Sequence, residues 1–324
     1  MKTPPRRYRT VFLHAGWRCA STYVWSRFRR NPSTTSFYEP FGESLSRCSP
    51  KRIHRQTPQG WNSRHPPLAL PYAEEYRALL RPLIKGVPGY RSEFALARYF
   101  PTEGVRLETR YLARLVRHAR RRGTHPVFGF SRSLGRAAAL KQALGGYHIV
   151  VRRNPLQQWL SCRSYREEVP LAYFELCHFL ILALAPSGSP ARRFAGMLGL
   201  PRLPGGLERQ YKCLHAALYP WSEELSYRAF TAVSLLSHAA AESAADLVLD
   251  VDRLARCGRY RETVGTRILA DVGLGVDFND CRLPSRDPGL VPVDFAAIER
   301  DVRQGLISCS AHLGPVSAPA HAME

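Results

Sequence analysis

The chain is predicted to be an α/β protein, a doubly wound parallel sheet flanked by helices, on three observations. Short apolar runs of strand character recur at Val11-Phe12-Leu13, at residues 126–130, at Tyr147-His148-Ile149-Val150-Val151 and at Leu247-Val248-Leu249. Each run is followed by a stretch of helical periodicity, the alternation that builds parallel sheets. The 147–151 run is almost continuously apolar, as a strand covered by helices on both faces must be.

Residues 8–30 read as a buried strand, a tight loop broken at Gly16, and the first turns of a helix carrying Tyr23, Val24, Trp25 and Phe28, with Ser21-Thr22 at the N-cap position. Residues 33–36 read as a loop. Phe37-Tyr38-Glu39-Pro40-Phe41 reads as a short extended segment, because a proline disfavours helical dihedrals in the residue before it. Residues 44–71, rich in Pro, Arg, Ser and His, form a long surface excursion of the lid or binding-loop kind. Helix-like patterning over 72–97 is broken by Pro82 and Pro88, and 108–122 is an amphipathic helix with a strongly basic outer face.

The strand at 126–130 ends in Ser131-Arg132, and a helix over 134–144 stops at Gly145-Gly146. After the 147–151 strand, Arg152-Arg153-Asn154-Pro155 opens a helix carrying Trp159, Ser161 and Tyr165. Residues 171–185 and 208–241 read as helical, separated by a Gly/Pro-rich loop over 187–206. The last strand is closed by Asp250-Val251-Asp252, and helices follow over 259–272 and, more weakly, about 294–307. The whole is expected to be one α/β domain over 1–290, with 44–100 and 170–245 as cap or insert regions, then a C-terminal helix and frayed tail over 291–324.

Composition bounds the function. At 324 residues and 45% hydrophobic content the chain can bury one large core or two modest ones. The longest apolar stretch, 171–185, contains Glu175 and His178 and falls short of the roughly 20 residues that span a bilayer. Lys2, Arg6, Arg7 and Arg9 precede an apolar run too short for a signal peptide, so the expected location is cytoplasmic. Eight cysteines show no metal-ligand spacing and are expected to be reduced thiols. The net charge of +21 comes almost wholly from arginine, since lysine occurs only at 2, 51, 85, 141 and 212. Such a surface suits nucleic acid, an anionic membrane or anionic small molecules and glycans, and GC-rich codon usage produces the same bias.

A strand that ends in a loop opening a helix is an anion site, because the free N–H groups of the first helical turn and the helix dipole both favour negative charge. Arg18 adds a full positive charge there, so a phosphate-like or sulfate-like guest is expected. A nucleoside triphosphate loop requires Gly-Lys-Ser/Thr, whereas Gly16 is followed by Trp17-Arg18-Cys19-Ala20-Ser21-Thr22. The second candidate lies after the third strand, where Arg153 and Ser161 are about two helical turns apart and both can face the crevice at the sheet's carboxyl edge. A kinase would place an acid at that strand end to hold Mg²⁺, but this strand ends in two arginines.

The order of cation, two small residues and two hydroxyls at Arg18-Cys19-Ala20-Ser21-Thr22 resembles the 5′-phosphosulfate loop of the sulfotransferases that use 3′-phosphoadenosine 5′-phosphosulfate (PAPS). The stretch Val150-Val151-Arg152-Arg153-Asn154-Pro155 with Ser161 resembles the 3′-phosphate motif of the same family. The likeness covers about the first 165 residues, continues faintly at 247–254, and lacks the family's C-terminal Arg-Lys-Gly element.

It implies a P-loop-like fold with a helical and loop cap over the acceptor. PAPS would be held by Gly16, Trp17, Arg18, Cys19, Ala20, Ser21, Thr22, Arg153 and Ser161. Tyr23 matches a position where relatives stack an aromatic on the adenine, and at helix spacing it serves a core equally well. Glu39, in Tyr-Glu-Pro-Phe, resembles the proposed base of the carbohydrate and tyrosylprotein branches, with His54 and His65 as the alternatives used by the cytosolic branch. Arg132, at a strand end near the sheet's switch point, is a candidate for holding the acceptor or the sulfuryl group. The implied catalytic set is Arg18, Glu39 and Arg132, with no metal.

The expected acceptor is a glycan or lipid-linked saccharide, then a peptide tyrosine; no nucleic-acid partner is expected, and the basic surface leaves peripheral membrane contact open. The competing readings are a non-catalytic basic nucleic-acid-binding protein and a P-loop kinase with 247–252 as its acidic strand. The first gives no reason for the Arg153–Ser161 spacing, and the second lacks Gly-Lys.

Overall fold

A computed structural model of the chain describes residues 9–57, 68–101, 104–168, 172–289 and 291–311. Five strands, β1 (Val11–His14), β2 (Thr34–Tyr38), β3 (His125–Phe130), β4 (Tyr147–Arg152) and β5 (Leu247–Asp250), form one parallel sheet in the order β2-β3-β1-β4-β5. Leu13 of the central strand pairs with Gly129 on one side and Ile149 on the other. The helices, in chain order, are α1 (Ser21–Arg29), α2 (Pro50–Ile53), α3 (Arg106–Arg121), α4 (Ala137–Leu144), α5 (Pro155–Glu168), α6 (Tyr173–Ala183), α7 (Pro190–Met197), α8 (Leu207–Leu218), α9 (Glu223–Ala244), α10 (Val251–Arg256), α11 (Gly258–Val272) and α12 (Phe295–Ala311).

Alternation along the strands sends side chains to opposite faces, and both faces are covered. Val11, Leu13, Ile149, Val151 and Leu249 pack under α1, α10 and α11, where Val24, Trp25, Phe28, Leu254 and Ile268 are fully buried. Phe12, Phe128 and Phe130 face the other way, against Leu112 and Leu115 of α3 and Leu140 of α4. Val150 faces a third cluster built by α5, α6, α9 and α12. Trp25 lies so close to Gly129 that an added Cβ there would meet its indole at 2.7 Å, so a side chain on that strand position has no room. No helix among the described residues is long and apolar enough to cross a membrane.

Several local expectations are corrected. Residues 34–36 are not loop but the start of edge strand β2, whose hydroxyls pair within the structure: Thr35 with Thr124 at 2.6 Å and Thr34 with Ser36 at 3.0 Å. Ser21 and Thr22 are the first two residues of α1; the cap position belongs to Ala20, in a left-handed conformation. Glu39 is not extended either: its φ is 45°, fixed by its N–H bonding Gly129 O at 2.8 Å and its carbonyl receiving Gly42 N–H at 2.7 Å. The 72–97 stretch forms only short 3-10 turns, at Glu74–Leu79 and Ser92–Phe94.

The 187–206 stretch holds α7, with Ser189 capping Arg192 N–H and Pro190 at the first turn. Residues 208–241 divide into α8 and α9 around Tyr219-Pro220. Far from being weak, α12 buries Ile298, Val302, Leu306 and Cys309 in the same cluster as α6 and α9.

Candidate active site

The carboxyl ends of β1, β2, β3 and β4 open into one cavity of about 780 Å³, a size that holds a nucleotide-sized ligand. It lies at the sheet's switch point, where the chain leaves β1 towards one edge through α1 and reaches β4 on the other side through α4.

The loop from β1 to α1 is held from outside itself. Ala15 N–H extends the β1–β3 ladder to Phe130 O at 3.1 Å, Gln158 Nε2 donates to Trp17 O at 2.7 Å, and Arg153 Nη1 donates to Arg18 O at 2.8 Å. Gly16 leaves room for that approach, since a Cβ would meet Gln158 Nε2 at 2.6 Å and push the amide away from Trp17 O. Arg18 (φ 61°) and Ala20 (φ 55°) both adopt left-handed conformations, which cost a non-glycine residue on the order of 1–3 kcal/mol and persist only where the surroundings impose them. Val24 N–H to Ala20 O, at 3.1 Å, is the first bond of α1, so the N–H groups of Ser21, Thr22 and Tyr23 lie ahead of the helical ladder. Thr22 Oγ1 meets the Tyr38 hydroxyl at 2.9 Å. The Cys19 side chain turns away from the cavity, its thiol bonding Val151 O at 3.3 Å within the core; burial pushes its pKa up to about 12.

Arg18, Arg153 and Ser161 come together on one wall. Arg18 Nε donates to Ser161 Oγ at 3.1 Å, and its guanidinium lies 5.6 Å from the ring centroids of both Tyr165 and Phe174. Arg153, 6% exposed, spends Nη1 on Arg18 O and Nη2 on Pro284 O at 3.3 Å, and its Nε is buried without a partner. A third arginine, Arg286, joins from the loop after α11, clamped by reciprocal 2.8 Å bonds between its backbone and the Gln157 amide. None of the three pairs with a carboxylate among the described residues. Burial lowers the pKa of Arg18 and of Arg153, and the charge of Arg286 lowers both further, against the opposing pull of nearby acidic groups. Gathered, partly dehydrated positive charge without a counter-ion is complementary to an anion carrying more than one charge. Asn154 serves the helix rather than the cavity, its Oδ1 capping α5 by accepting Gln157 N–H at 3.0 Å, ahead of Pro155.

Across the cavity, both terminal nitrogens of Arg132 are paired, while its Nε is buried without a partner. Its Nη1 donates to Glu39 Oε2 at 2.7 Å, its Nη2 reaches Glu43 Oε2 at 2.8 Å and also bonds the Tyr173 hydroxyl, which in turn donates to Glu43. Its guanidinium lies 5.3 Å from the Trp17 ring centroid. Burial opposes the Arg132 charge, yet Glu43, Tyr173 and Glu39 together raise its pKa well above the usual value. Glu39, whose side chain is 12% exposed, is raised above the usual carboxylate pKa by burial, against the opposing pull of Arg132 and of hydrogen bonds from Ser131. The arrangement therefore holds a carboxylate of raised basicity on the edge of the same cavity as the arginine cluster.

Tyr23 lines the cavity too, its hydroxyl donating to Asp280 Oδ1 at 2.8 Å. His54 is exposed and does not line the cavity, and His65 lies outside the described residues. Sequence reasoning missed Glu43, Tyr165, Tyr173, Phe174 and Arg286. Glu43 had a local signal, four residues beyond Glu39, and so did Tyr165, one turn beyond Ser161 on the same helix; the others come from a helix and a late loop whose packing no local pattern encodes. Comparison with protein-family models, with curated proteins and with solved structures returned no match.

Proposed function

We propose that the chain is a PAPS-dependent sulfotransferase with a P-loop-like fold, moving a sulfuryl group onto an acceptor hydroxyl. The observation that carries this reading is the meeting of Arg18, Arg153 and Ser161 on one wall of a nucleotide-sized cavity, with no carboxylate neutralising either arginine among the described residues. Two phosphate-type groups on one donor molecule, the 5′-phosphosulfate and the 3′-phosphate, match two arginines supplied by separate strand ends. The central position of β1, with its loop at the switch point, supports the P-loop-like assignment, and α5, α6 and the loop of residues 39–45 cover the cavity as a cap.

In the reaction the acceptor oxygen forms a bond to sulfur as the bond from sulfur to the phosphate oxygen breaks, releasing 3′-phosphoadenosine 5′-phosphate (PAP). Arg18 and the N–H groups at the start of α1 stabilise the negative charge gathering on the leaving phosphate. Glu39 accepts the hydroxyl proton, its basicity raised by burial and its position fixed by Arg132. Arg132, already engaged by two carboxylates, acts as a positioning residue for Glu39. Glycans and lipid-linked saccharides fit the aromatic and polar lining formed by Trp17, Tyr38, Tyr173 and Phe174 best, with peptide tyrosine behind them.

The reading is tested by incubating the protein with sulfur-35-labelled PAPS and cell extract, then resolving glycan, lipid and protein fractions. Label transferred by the wild type and lost in Arg18→Ala supports it. Label absent from every fraction, with PAPS binding also absent, opposes it.

A further inference from the structure

Away from the cavity, one surface combines dense positive charge with exposed apolar side chains. Arg106, Arg110, Arg114, Arg117, Arg120 and Arg121 of α3 recur every one to four residues and are exposed, and among the described residues none pairs with a carboxylate. Beside them, Arg81-Pro82-Leu83-Ile84-Lys85 forms a turn closed by Ile84 N–H to Arg81 O at 3.2 Å. Leu83 is 98% exposed and Ile84 45%. The turn stands on a fixed base: Val87 N–H bonds Leu45 O at 3.0 Å, and Gly86 (φ +76°) lies where a Cβ would come within 2.5 Å of the carbonyl oxygens of Leu45 and Ser46. Arg81 shares a groove of about 280 Å³ with Arg114, Arg117 and Arg121, so the turn that carries the apolar tip stands directly beside the basic helix.

We propose that this face docks the protein on an anionic lipid bilayer, with Leu83 and Ile84 entering the acyl boundary and Lys85 and the α3 arginines meeting the headgroups. The two parts of the surface call for the two parts of a membrane. Clustered arginines gain from the negative surface potential of anionic lipids, an attraction that salt weakens. A leucine held almost wholly in water at the tip of an anchored turn gains by leaving it. A nucleic-acid backbone would satisfy the arginines and leave Leu83 without a function. The proposal is independent of the reaction assigned to the cavity.

The test is sedimentation of the full chain with phosphatidylcholine vesicles, with and without phosphatidylserine. Binding should require phosphatidylserine and be released by high salt. Leu83→Asp, and separately the double variant Arg114→Glu with Arg117→Glu, should each weaken it about tenfold or more. All the substituted side chains are exposed, so the melting temperature should stay near that of the wild type, which separates loss of docking from loss of fold. Absence of phosphatidylserine-dependent binding overturns the proposal. So does binding that Leu83→Asp leaves intact, or tighter binding to duplex DNA that is insensitive to Leu83→Asp, which would mark a purely Coulombic polyanion surface.

Discussion

Arg153 donates through Nη1 to the main-chain carbonyl of Arg18 at 2.8 Å, so two arginines 135 positions apart are held together on the cavity wall, and neither has a carboxylate partner among the described residues. Arg18 in turn donates to Ser161, about two turns beyond the cap of α5. The contact fixes the strained loop ahead of α1 and concentrates charge where the helix begins. An anion shared by the pair should therefore act on stability as well as on catalysis.

The first prediction follows from that charge. Sulfate should raise the melting temperature of the wild type above its value in chloride at equal ionic strength, because an anion bound only by the native state adds RT ln(1 + [L]/Kd). Arg153→Met should abolish the sulfate increment. Its melting temperature without sulfate should also fall, since Arg18 O and Pro284 O lose their donor, so the variant is judged by the difference between the two salts and not by its baseline. Differential scanning calorimetry in the two salts reads both quantities. An undiminished sulfate increment in the variant would place the anion elsewhere.

Glu39 gives the second. Glu39→Gln keeps size and hydrogen bonding but cannot take a proton, so kcat should fall by about 10²–10⁴-fold with little change in donor affinity. Because burial raises the Glu39 pKa, the acid limb of the kcat/KM profile should lie above the usual carboxylate range. Arg132 pulls that pKa down, so Arg132→Met should move the limb to still higher pH as well as lower the rate. A limb that stays put in Arg132→Met would show that another group is being titrated. Glu39→Gln at near-normal turnover, with His54→Ala or His65→Ala inactive, would move the base to a histidine.

Acid stability supplies the third. Burial lowers the pKa of His178 to about 3 and of His148 to about 4, and burial together with the charges of His148, Arg136 and Lys141 holds His14 well below the usual histidine range. The unfolded chain then binds more protons than the folded one below about pH 6.5, so these groups stabilise the fold above that value and the stability is lost as pH falls towards the folded pKa values. Glu175 works in the opposite sense: burial raises it to about 7, so its contribution is present at low pH and lost as pH rises through about 7. His178→Phe should isolate the histidine effect, removing a pH-dependent loss on the order of 2 kcal/mol between pH 6.5 and 5. Urea unfolding at the two pH values measures it, and identical pH dependence in variant and wild type would refute the assignment.

Much of the fold was legible because β1, β3, β4 and β5 are apolar runs facing two covered sides, a pattern that survives without tertiary information. β2 was not, because Thr34, Thr35 and Ser36 carry hydroxyls that resemble a loop and are satisfied only by neighbours such as Thr124. The start of α7 was written in Ser189-Pro190 and was masked by the surrounding glycines and prolines. In the candidate site, Arg18 and Arg153 could be found because they lie in the turns that leave strand ends, and Ser161 because it lies about two helical turns beyond Arg153 on the helix that follows. Arg286 could not, since it reaches the cavity only through the Gln157 clamp, and Tyr173 could not, since its link to Arg132 depends on how α6 packs.

The central claim is that the arginine wall holds a nucleotide bearing a 3′-phosphate, and thermal unfolding with PAP, AMP and ATP–Mg²⁺ side by side tests it without knowledge of the acceptor. PAP at a hundredfold excess over its Kd should add about 2.7 kcal/mol, a shift on the order of 4 °C, and AMP at the same concentration much less. The difference between PAP and AMP should vanish in Arg153→Met. Equal shifts for PAP and AMP in the wild type, or a larger one for ATP–Mg²⁺, would contradict the account.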